Sequence, residues 1–458
     1  MVTGLKKRNI FPLLAIGVIL ALGGCRVQPG DSEGETSSIA DVGTPERLPN
    51  IVWIISDDQS FHDFGFAGHE IVQTPQIDRM AAESMVFRNG YNATSLCRPS
   101  LATLITGKHQ HEHRITFNDP QGEGIDDGKR RGLVNQLMLN QAPAPELLAE
   151  AGYVSLQTGK FWEGSYRNGG FDEGMTVGAR HGDLGLDIGR KGLEPIRDFV
   201  DRHKGKPKFI WYAPFLPHTP HNAPEKYEAP FAGLGLHEAT LRYYASILWF
   251  DETVGELIDL MKQAGEYEDT LFVFMTDNGW VTAEDPADRL VDRSDGKVRP
   301  PHWKSKQSQY DLGVRTPVLL HWPGKIEPGE ADGLVSSIDI VPTSLAAAGL
   351  KIPAELKGLN LLPRAIDGDP IGRDAVFGSI FGHTAKDWRD PESNLFFRWI
   401  RKGDWKLIVP HVEGEPIQLY DLDTDPFEDT NLAEEQALQE TVKDLKATLD
   451  AWWTPASS

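Results

Sequence analysis

The chain has 458 residues, of which 40% are hydrophobic and 25% are charged, so most of it can fold around a large buried core. Its 67 acidic residues exceed its 46 lysines and arginines, and the formal net charge is -21. Beyond the first residues no basic stretch could neutralise a run of phosphates, which excludes a nucleic-acid-binding surface. An anionic substrate would therefore need a local cationic pocket.

The N-terminal residues 1–25 have the pattern of an export signal. A basic start is followed by an almost wholly apolar run that ends in the segment LGGC at Cys25. The run is too short to span a bilayer comfortably. Its end resembles a lipobox, in which the cysteine receives lipid, and an ordinary cleaved signal with an incidental cysteine is the alternative. Residues 26–48, rich in Gly, Ser, Glu and Pro, would then be a flexible tether. We therefore expect an exported lipoprotein, anchored in a membrane through Cys25, in the periplasm or at the cell surface.

Cys97 is the other cysteine of the chain. Because Cys25 is assigned to the membrane anchor, no intrachain disulfide framework is available. Cys97 is therefore either a buried inert thiol or a residue selected for its chemistry.

Two short apolar runs end in oxygen-bearing side chains. The run NIVWII precedes Asp57 and Asp58, and the run TLFVFM precedes Asp277 and Asn278. Either pair alone is also typical of a helix cap or a turn. Ligands gather at the carboxyl edge of open parallel sheets, so two such strand ends indicate one shared site. These hard oxygen ligands suit Ca²⁺ or Mg²⁺ better than zinc.

Strand-like and helical segments alternate through the first three quarters of the chain. The predicted strands are Asn50–Ile55, Lys208–Tyr212, Thr270–Met275 and Pro317–Trp322, and helices are predicted at Pro145–Ala151 and His237–Ala264. This alternation favours an α/β fold with a doubly wound, mostly parallel sheet and helices on both faces. After residue 349 shorter strand-like segments precede an amphipathic helix at Glu434–Trp452. We predict a main domain at 49–349 and a smaller C-terminal α+β subdomain with an antiparallel sheet at 350–458.

The segment SLCRPSLATLITGK, which contains Cys97, resembles the signature of the sulfatase family. That signature is Cys-x-Pro-Ser-Arg followed by a helix that ends in Leu-Thr-Gly-Arg or Leu-Thr-Gly-Lys. In the family a maturation enzyme oxidises the cysteine to formylglycine, and the hydrated aldehyde is the nucleophile. The resemblance implies an alkaline-phosphatase-like fold and a formylglycine at position 97.

The resemblance extends from residue 50 to about residue 432. The matching segments are ISDDQ at 55–59, PHTPH at 217–221, MTDNG at 275–279, KQSQYDLGVRTP at 306–317 and QLYDLDTDPFEDTNL at 418–432. It implies that one divalent cation, most simply Ca²⁺, is bound by a set of five residues, namely Asp57, Asp58, Asp277, Asn278 and the modified Cys97. It also implies that Lys160, His218 and Lys306 bind the sulfate and take part in catalysis.

Two positions depart from the family pattern. Leu101 stands where the signature has an arginine, which helps the maturation enzyme recognise its target and then lies beside the cation. The segment GKFWEG at 159–164 resembles the family's GKWHLG, but Trp162 replaces the histidine that deprotonates the hydrated aldehyde. Indole cannot accept a proton. His181, Glu163 or a water are candidate replacements, and Trp162 could instead line a sugar-binding cleft as a substrate-binding residue.

We therefore predict a sulfuric ester hydrolase that removes sulfate from an extracellular sulfated substrate such as a glycan, and that needs a formylglycine-generating maturation enzyme. One alternative is a phosphomonoesterase or phosphodiesterase of the alkaline-phosphatase-like superfamily. Leu101 and Trp162 also leave open a lipoprotein that binds sulfated glycans without cleaving them.

Overall fold

The structure, a computed structural model, describes residues 47–121, 127–178, 180–281 and 304–456. The predicted export signal, the lipidated Cys25 and tether residues 26–46 lie outside the described residues. Within the described ranges, no helix combines the length and apolarity needed to cross a bilayer. From residue 47 onward the described chain forms one compact unit.

The described residues contain fifteen strands. In chain order they are β1 (Asn50–Ser56), β2 (Met85–Tyr91), β3 (Asp119–Pro120), β4 (Val154–Gly159), β5 (Glu173–Gly174), β6 (Lys208–Ala213), β7 (Thr270–Thr276), β8 (Arg315–His321), β9 (Gly329–Ala331), β10 (Val335–Ser336), β11 (Ala375–Phe381), β12 (Thr384–Ala385), β13 (Leu395–Lys402), β14 (Trp405–Pro410) and β15 (Gln418–Asp421).

Eleven α-helices connect or cover these strands within the described ranges. They are α1 (Pro75–Ala82), α2 (Cys97–Thr106), α3 (Gln110–His113), α4 (Asp127–Leu139), α5 (Ala144–Ala149), α6 (Glu194–Arg202), α7 (Glu225–Glu228), α8 (Glu238–Gln263), α9 (Asp311–Val314), α10 (Ile340–Ala347) and α11 (Gln439–Trp452).

Nine strands form the main sheet, in the order β10-β2-β8-β7-β1-β6-β4-β5, with β9 also paired to β2. Neighbouring strands are parallel except around β8, which runs antiparallel to both β7 and β2. The central strands β1, β6 and β7 are buried along their whole length, as expected for parallel strands with both faces covered. The predicted mostly parallel sheet is therefore confirmed.

Both faces of the main sheet carry helices, as the side chains of β1 show. Ile51, Trp53 and Ile55 belong to a buried cluster that includes residues of α2, α5 and α10. Val52 and Ile54 point to the opposite face and belong to a cluster with residues of α1, α6 and α8. Successive side chains of a strand alternate between faces, so the predicted helical layers on both sides of the sheet are confirmed.

The C-terminal region forms a second, antiparallel sheet in the order β11-β13-β14-β15. Helix α11 covers one face through Leu445 and Leu449, and the other face meets the main part of the molecule around Tyr91 and Trp399. The predicted antiparallel sheet is confirmed, whereas the boundary between residues 349 and 350 stays a prediction. The last helix begins at Gln439, not at Glu434. Before it lie the 3-10 helix Gln436–Leu438 and a turn, where the Asn431 side chain accepts hydrogen bonds from the backbone of β15 and of Ala433.

A buried ion cluster joins the second sheet to the main part of the molecule. Lys406 of β14 is fully buried, and its Nζ lies 2.7 Å from Asp311 Oδ1 and 2.9 Å from Glu428 Oε1. Glu428 also accepts a hydrogen bond from the backbone N–H of Asp311 at 2.6 Å. Asp311 begins α9, shortly after Lys306 in the chain. The cluster therefore helps to fix the segment that carries Lys306.

We expect the substitution Lys406→Met to lower the free energy of unfolding by about 3–5 kcal/mol, because it leaves Glu428 buried without its cation and leaves Asp311 with the more distant Arg315, 3.7 Å away. Urea unfolding followed by circular dichroism measures the change. Lys402→Met on β13 is the matched control, since the Lys402 side chain is 46% exposed and pairs with the exposed Asp374. The control should cost at most about 1 kcal/mol. A loss in Lys406→Met no larger than that of the control would contradict the role of the cluster.

Candidate active site

Four acidic or amide side chains meet where β1 and β7 end. The two strands are parallel neighbours, with Ser56 opposite Thr276, so the residues that follow them emerge side by side. Asp58 N donates to Asp277 Oδ1 at 3.0 Å, and Asn278 Nδ2 donates to Asp58 Oδ1 at 2.6 Å. The side chains that the sequence analysis placed in one site, Asp57, Asp58, Asp277 and Asn278, are all brought together and buried here.

Cys97 lies at the first residue of α2, beside these carboxylates. Its Sγ is 3.9 Å from Asp58 Oδ1. One turn along the helix, Ser100 Oγ donates to the backbone carbonyl of Asp277 at 2.5 Å, which holds the start of α2 against the end of β7. Burial raises the pKa of the Cys97 thiol to about 11, although neighbouring lysines oppose the shift. The unmodified thiol is therefore protonated at neutral pH and a weak nucleophile.

Lys160 enters the site directly after β4. Gly159, the last residue of that strand, has a φ of +82°, and a Cβ there would lie 1.9 Å from the Ala213 carbonyl oxygen, so only glycine fits. Lys160 Nζ lies 2.5 Å from Asp57 Oδ1 and 3.6 Å from Asp277 Oδ2. Burial opposes the charge of Lys160, but the carboxylates, Asp57 first, outweigh burial and raise its pKa well above the ordinary value.

Lys306, in the segment just before α9, contacts Asp58. Its Nζ lies 2.6 Å from each carboxylate oxygen of Asp58. Burial favours the neutral acid, but the charge of Lys306 outweighs it and lowers the pKa of Asp58. The two lysines that were expected to hold sulfate are thus in the site, and in this structure both pair with carboxylates.

The charges of this cluster do not balance. Three buried carboxylates, Asp57, Asp58 and Asp277, face two lysines, Lys160 and Lys306. When all three acids are ionised, one negative charge has no partner among the described residues (three minus two). Burial raises the pKa of Asp57 and of Asp277, because the charged acids are removed from water. An additional positive group would relieve this imbalance.

The donor atoms fit a hard divalent cation. Asp57 Oδ2, Asp277 Oδ2 and Asn278 Oδ1 are buried and have no hydrogen-bond partner among the residues that the structure describes. Asp57, Asp58, Cys97 and His218 each offer a ligand atom, and these four atoms lie within 4.8 Å of one another. Uncompensated carboxylate and amide oxygens are the ligands that calcium and magnesium prefer. The residues present therefore suit a single cation of this kind.

His218 lies on the loop after β6, at the edge of the site. Its Nε2 is 3.5 Å from Asp58 Oδ2, and its Nδ1 is 2.6 Å from the carbonyl oxygen of Thr219. A carbonyl oxygen only accepts, so Nδ1 carries the proton and Nε2 faces Asp58. Burial lowers the pKa of His218 well below its ordinary value, so the imidazole is neutral at neutral pH.

Trp162 is 4% exposed, and other side chains cover its ring. The His181 ring packs edge-on against it at a centroid distance of 4.4 Å, and the Arg180 guanidinium lies 4.8 Å from the ring centre. The adjacent Glu163 makes a buried ion pair with Arg98, in which two N–O distances are 2.7 Å. Glu163 is thus neutralised by Arg98, and Arg98 does not compensate the carboxylates of the site.

Leu101 follows Cys97 by one turn of α2, is 4% exposed, and belongs to the same buried cluster as Cys97 and Trp162. Residues four apart lie on one face of a helix. An apolar side chain therefore occupies the position at which the family signature has a cation.

Sequence reasoning did not find the polar residues at the mouth of this site, which are Asn118, Asp119, Arg131, Arg180 and His383. They come from four separate segments and match none of the motifs described above. Each is an ordinary surface residue type, and only the fold brings them together.

Comparisons with known proteins are consistent with this geometry. Residues 49–350 match the Sulfatase family, and residues 301–454 match the domain described as N-sulphoglucosamine sulphohydrolase, C-terminal. N-acetylgalactosamine-6-sulfatase of Homo sapiens is 28% identical over 397 residues, which cover 76% of this chain and 72% of the relative. Arylsulfatase A of Homo sapiens is 28% identical over 481 residues, which cover 88% of this chain and 89% of the relative.

A bacterial relative and two solved structures extend the comparison. N-acetylglucosamine-6-O-sulfatase of Bacteroides thetaiotaomicron is 22% identical and covers 90% of this chain and 88% of its own. The crystal structure of Ps i-CgsB in complex with k-i-k-neocarrahexaose has a TM-score of 0.69 at 24% identity, over 89% of this chain and 93% of that one. The structure of BT4656 in complex with its substrate D-glucosamine-2-N,6-O-disulfate has a TM-score of 0.68 at 20% identity, over 89% of this chain and 97% of that one. The similarity to these two structures is one of fold.

We expect calcium to stabilise the metal-free protein by about 2.7 kcal/mol when its concentration is about 100 times the dissociation constant. Urea unfolding with calcium or with a chelator measures the gain. Asp277→Asn should remove it, because the substitution takes away a buried carboxylate, whereas the exposed control Asp269→Asn should retain it. An equal calcium effect in wild type and Asp277→Asn would contradict binding at this site.

The gain from calcium should depend on pH. Burial raises the pKa of Asp57 and Asp277, so without metal these acids keep their protons to a higher pH than usual. A cation must displace those protons. The calcium effect should therefore be full above the raised pKa values and shrink as the pH falls through them.

Proposed function

Because the chain belongs to the sulfatase family, we propose that it removes sulfate from a sulfated glycan outside the cytoplasm, using a formylglycine formed from Cys97 and one calcium ion. The observation that carries this proposal is the meeting of Cys97, Lys160 and Lys306 with the buried oxygens at the ends of β1 and β7. Relatives named as amino-sugar 6-sulfatases support a glycan substrate. The export pattern of residues 1–25 and a lipid on Cys25 would hold the enzyme at a membrane.

The ion and the modified residue would each supply one kind of chemistry. A cation held by Asp57, Asp58, Asp277 and Asn278 would stabilise negative charge on the sulfate oxygens as a Lewis acid. Formylglycine at position 97 would supply a hydrated aldehyde: one hydroxyl would attack sulfur and pass its proton to water while the bond from sulfur to the departing alcohol breaks, and the other hydroxyl would lose its proton to expel sulfate and restore the aldehyde. An unmodified thiol would be trapped as a stable adduct.

The two lysines bind the sulfate group in this proposal. The charges of Lys160 and Lys306 oppose the effect of burial on the pKa of the Cys97 thiol, and ammonium groups donate strong charge-assisted hydrogen bonds to sulfate oxygens. The side chains of both are at most 8% exposed. Because these side chains are shielded from solvent, their interaction with an anion is stronger than the same interaction would be in bulk water.

The departing alcohol takes its proton from Lys306. Burial lowers the pKa of Lys306, but Asp58 outweighs burial and raises it above the ordinary value, so the amine is protonated at neutral pH. His218 is neutral, because burial lowers its pKa, and its Nδ1–H donates a hydrogen bond to the Thr219 carbonyl oxygen. His218 then orients the leaving oxygen through Nε2 after that oxygen is protonated.

The proton of the second hydroxyl has no protein acceptor at position 162, because that residue is tryptophan. Glu163 is bound to Arg98, and His181 Nε2 accepts a hydrogen bond from Arg180 Nη1 at 2.8 Å. A water molecule takes this proton in our proposal. General-base catalysis is worth about 10²–10⁴-fold, so release of sulfate would be the slow step.

We expect the exported chain, produced together with a maturation enzyme, to release sulfate from 4-nitrophenyl sulfate or from N-acetylhexosamine 6-sulfates. Cys97→Ala should lower kcat by at least about 10³-fold, since it removes the nucleophile. Cys25→Ala is the matched control and should retain turnover. Binding of sulfated sugars without sulfate release would favour the non-catalytic lipoprotein. Two tightly bound zinc ions with release of phosphate from phosphate esters would favour the phosphatase.

We expect Leu101→Arg to raise the fraction of chains with an aldehyde at position 97, because it restores the family signature. Mass spectrometry of the peptide that spans Cys97 measures this fraction. Leu101→Lys adds the same charge without the guanidinium group and should raise it less. No increase in Leu101→Arg would show that Leu101 does not limit maturation.

A further inference from the structure

Three side chains beside the site, Arg131, Arg180 and His383, surround the carboxylate of Asp119 and form with it a cationic group that we call the Asp119 cluster. Arg180 Nε and Nη2 donate to Asp119 Oδ1 and Oδ2 at 3.0 and 2.8 Å. Arg131 Nη2 donates to Asp119 Oδ1 at 2.6 Å, and His383 Nδ1 lies 3.9 Å from Asp119 Oδ2. The cluster has a net charge of +1 with His383 neutral, because two arginines face one acid.

One side of the cluster lies next to the nucleophile position. The Asn118 side chain accepts a hydrogen bond from the backbone N–H of Arg98 at 2.9 Å, one residue after Cys97. The same side chain is 3.4 Å from His383 Nε2. His383 therefore lies two polar contacts away from the start of α2, and the charge of Lys306 acts on it.

The other side of the cluster lies next to His218. Arg180 Nη1 donates to His181 Nε2 at 2.8 Å, and the His181 ring lies 5.7 Å from the His218 ring, centre to centre. His218 in turn contacts Asp58. Side-chain contacts thus link the Asp119 cluster to the carboxylate site on both sides.

The fold holds the cluster in a fixed position while its head groups stay accessible to solvent. Asp119 is in β3 and His383 immediately precedes β12, and the two strands pair with Thr384 opposite Asp119. The side chains of Arg180, Asp119 and Arg131 are 39%, 25% and 23% exposed. A ligand can therefore reach the guanidinium groups without a rearrangement of the backbone.

The Arg180 guanidinium packs on the face of the Trp162 ring. The guanidinium lies 4.8 Å from the centre of the buried indole ring, within the range of a cation–π contact. With an exposure of 4%, the ring has little surface left for a sugar. Tryptophan at this position cannot act as a base, but its ring restricts the motion of the Arg180 side chain. The arginine therefore loses less conformational entropy when it binds a ligand.

We propose that the Asp119 cluster binds a second anionic group, a carboxylate or a sulfate, on the sugar that carries the scissile sulfate. This inference rests on the proposed function, in which Lys160 and Lys306 bind the scissile group. Arg180 already contacts Asp119 through Nε and Nη2, so a bound anion would accept charge-assisted hydrogen bonds from the remaining N–H groups of Arg180 and Arg131. The enzyme would then select sugars that carry two anionic groups. Because the net charge of the protein is -21, such sugars need a local cationic site.

Titration calorimetry on the full exported chain tests this proposal without turnover. The Cys97→Ala background with calcium keeps the probes intact. The probes are N-acetylglucosamine 6-sulfate, with one anion, D-glucosamine 2-N,6-O-disulfate, with a second sulfate, and the 6-sulfated chondroitin disaccharide, with a carboxylate. At least one doubly charged probe should bind more tightly than the singly charged one. Arg180→Gln should reduce that preference at least about fivefold, since a partly exposed charge-assisted hydrogen bond is lost.

Arg167→Gln is the matched control, because the Arg167 guanidinium lies 5.1 Å from the ring centre of the adjacent Tyr166 and, within the described ranges, has no hydrogen bond or ion pair with the cluster. A preference that Arg180→Gln leaves unchanged, or that Arg167→Gln reduces equally, would overturn the proposal. So would the absence of binding by every probe. If Arg180-dependent binding is found but the modified enzyme releases no sulfate, the hydrolytic function fails and the anion site stands.

Discussion

The burial of three carboxylates beside only two ammonium groups is the constraint on which this site depends. Asp57, Asp58 and Asp277 are at most 2% exposed, and buried charges are tolerated only when they are paired or bound to a metal. The sheet forces the acids together, since β1 and β7 are parallel neighbours that end level with each other. The residue after β4 and the segment before α9 bring Lys160 and Lys306, whose positive charges pair with these acids. Helix α2 brings Cys97 beside them.

Much of the fold could be predicted from the sequence because its central strands have both faces buried. Such strands are continuous apolar runs, and Thr270–Met275 matched β7 to within one residue. The direction of β8 was not predictable, because an apolar run does not show which way a strand runs. The start of the last helix was missed because the contacts of Asn431 that form the preceding turns are tertiary.

Of the candidate site, the sequence indicated the residues but not their contacts. Strand ends and motifs singled out the acids, Cys97, Lys160 and Lys306, and the structure brings them together. That both lysines pair with carboxylates depends on distances that no motif contains. The pair of Arg98 and Glu163 was also hidden, since two charged residues 65 positions apart have no pattern that links them.

The short pairing of β3 with β12 has a consequence for how such an enzyme can diverge. It brings His383, from the C-terminal part of the chain, beside Asp119, Arg131 and Arg180, which lie between Cys97 and His218 in the sequence. One member of the Asp119 cluster is therefore encoded far from the other three. A substitution of His383 can alter the cluster while Cys97 and the carboxylates of the site are inherited unchanged.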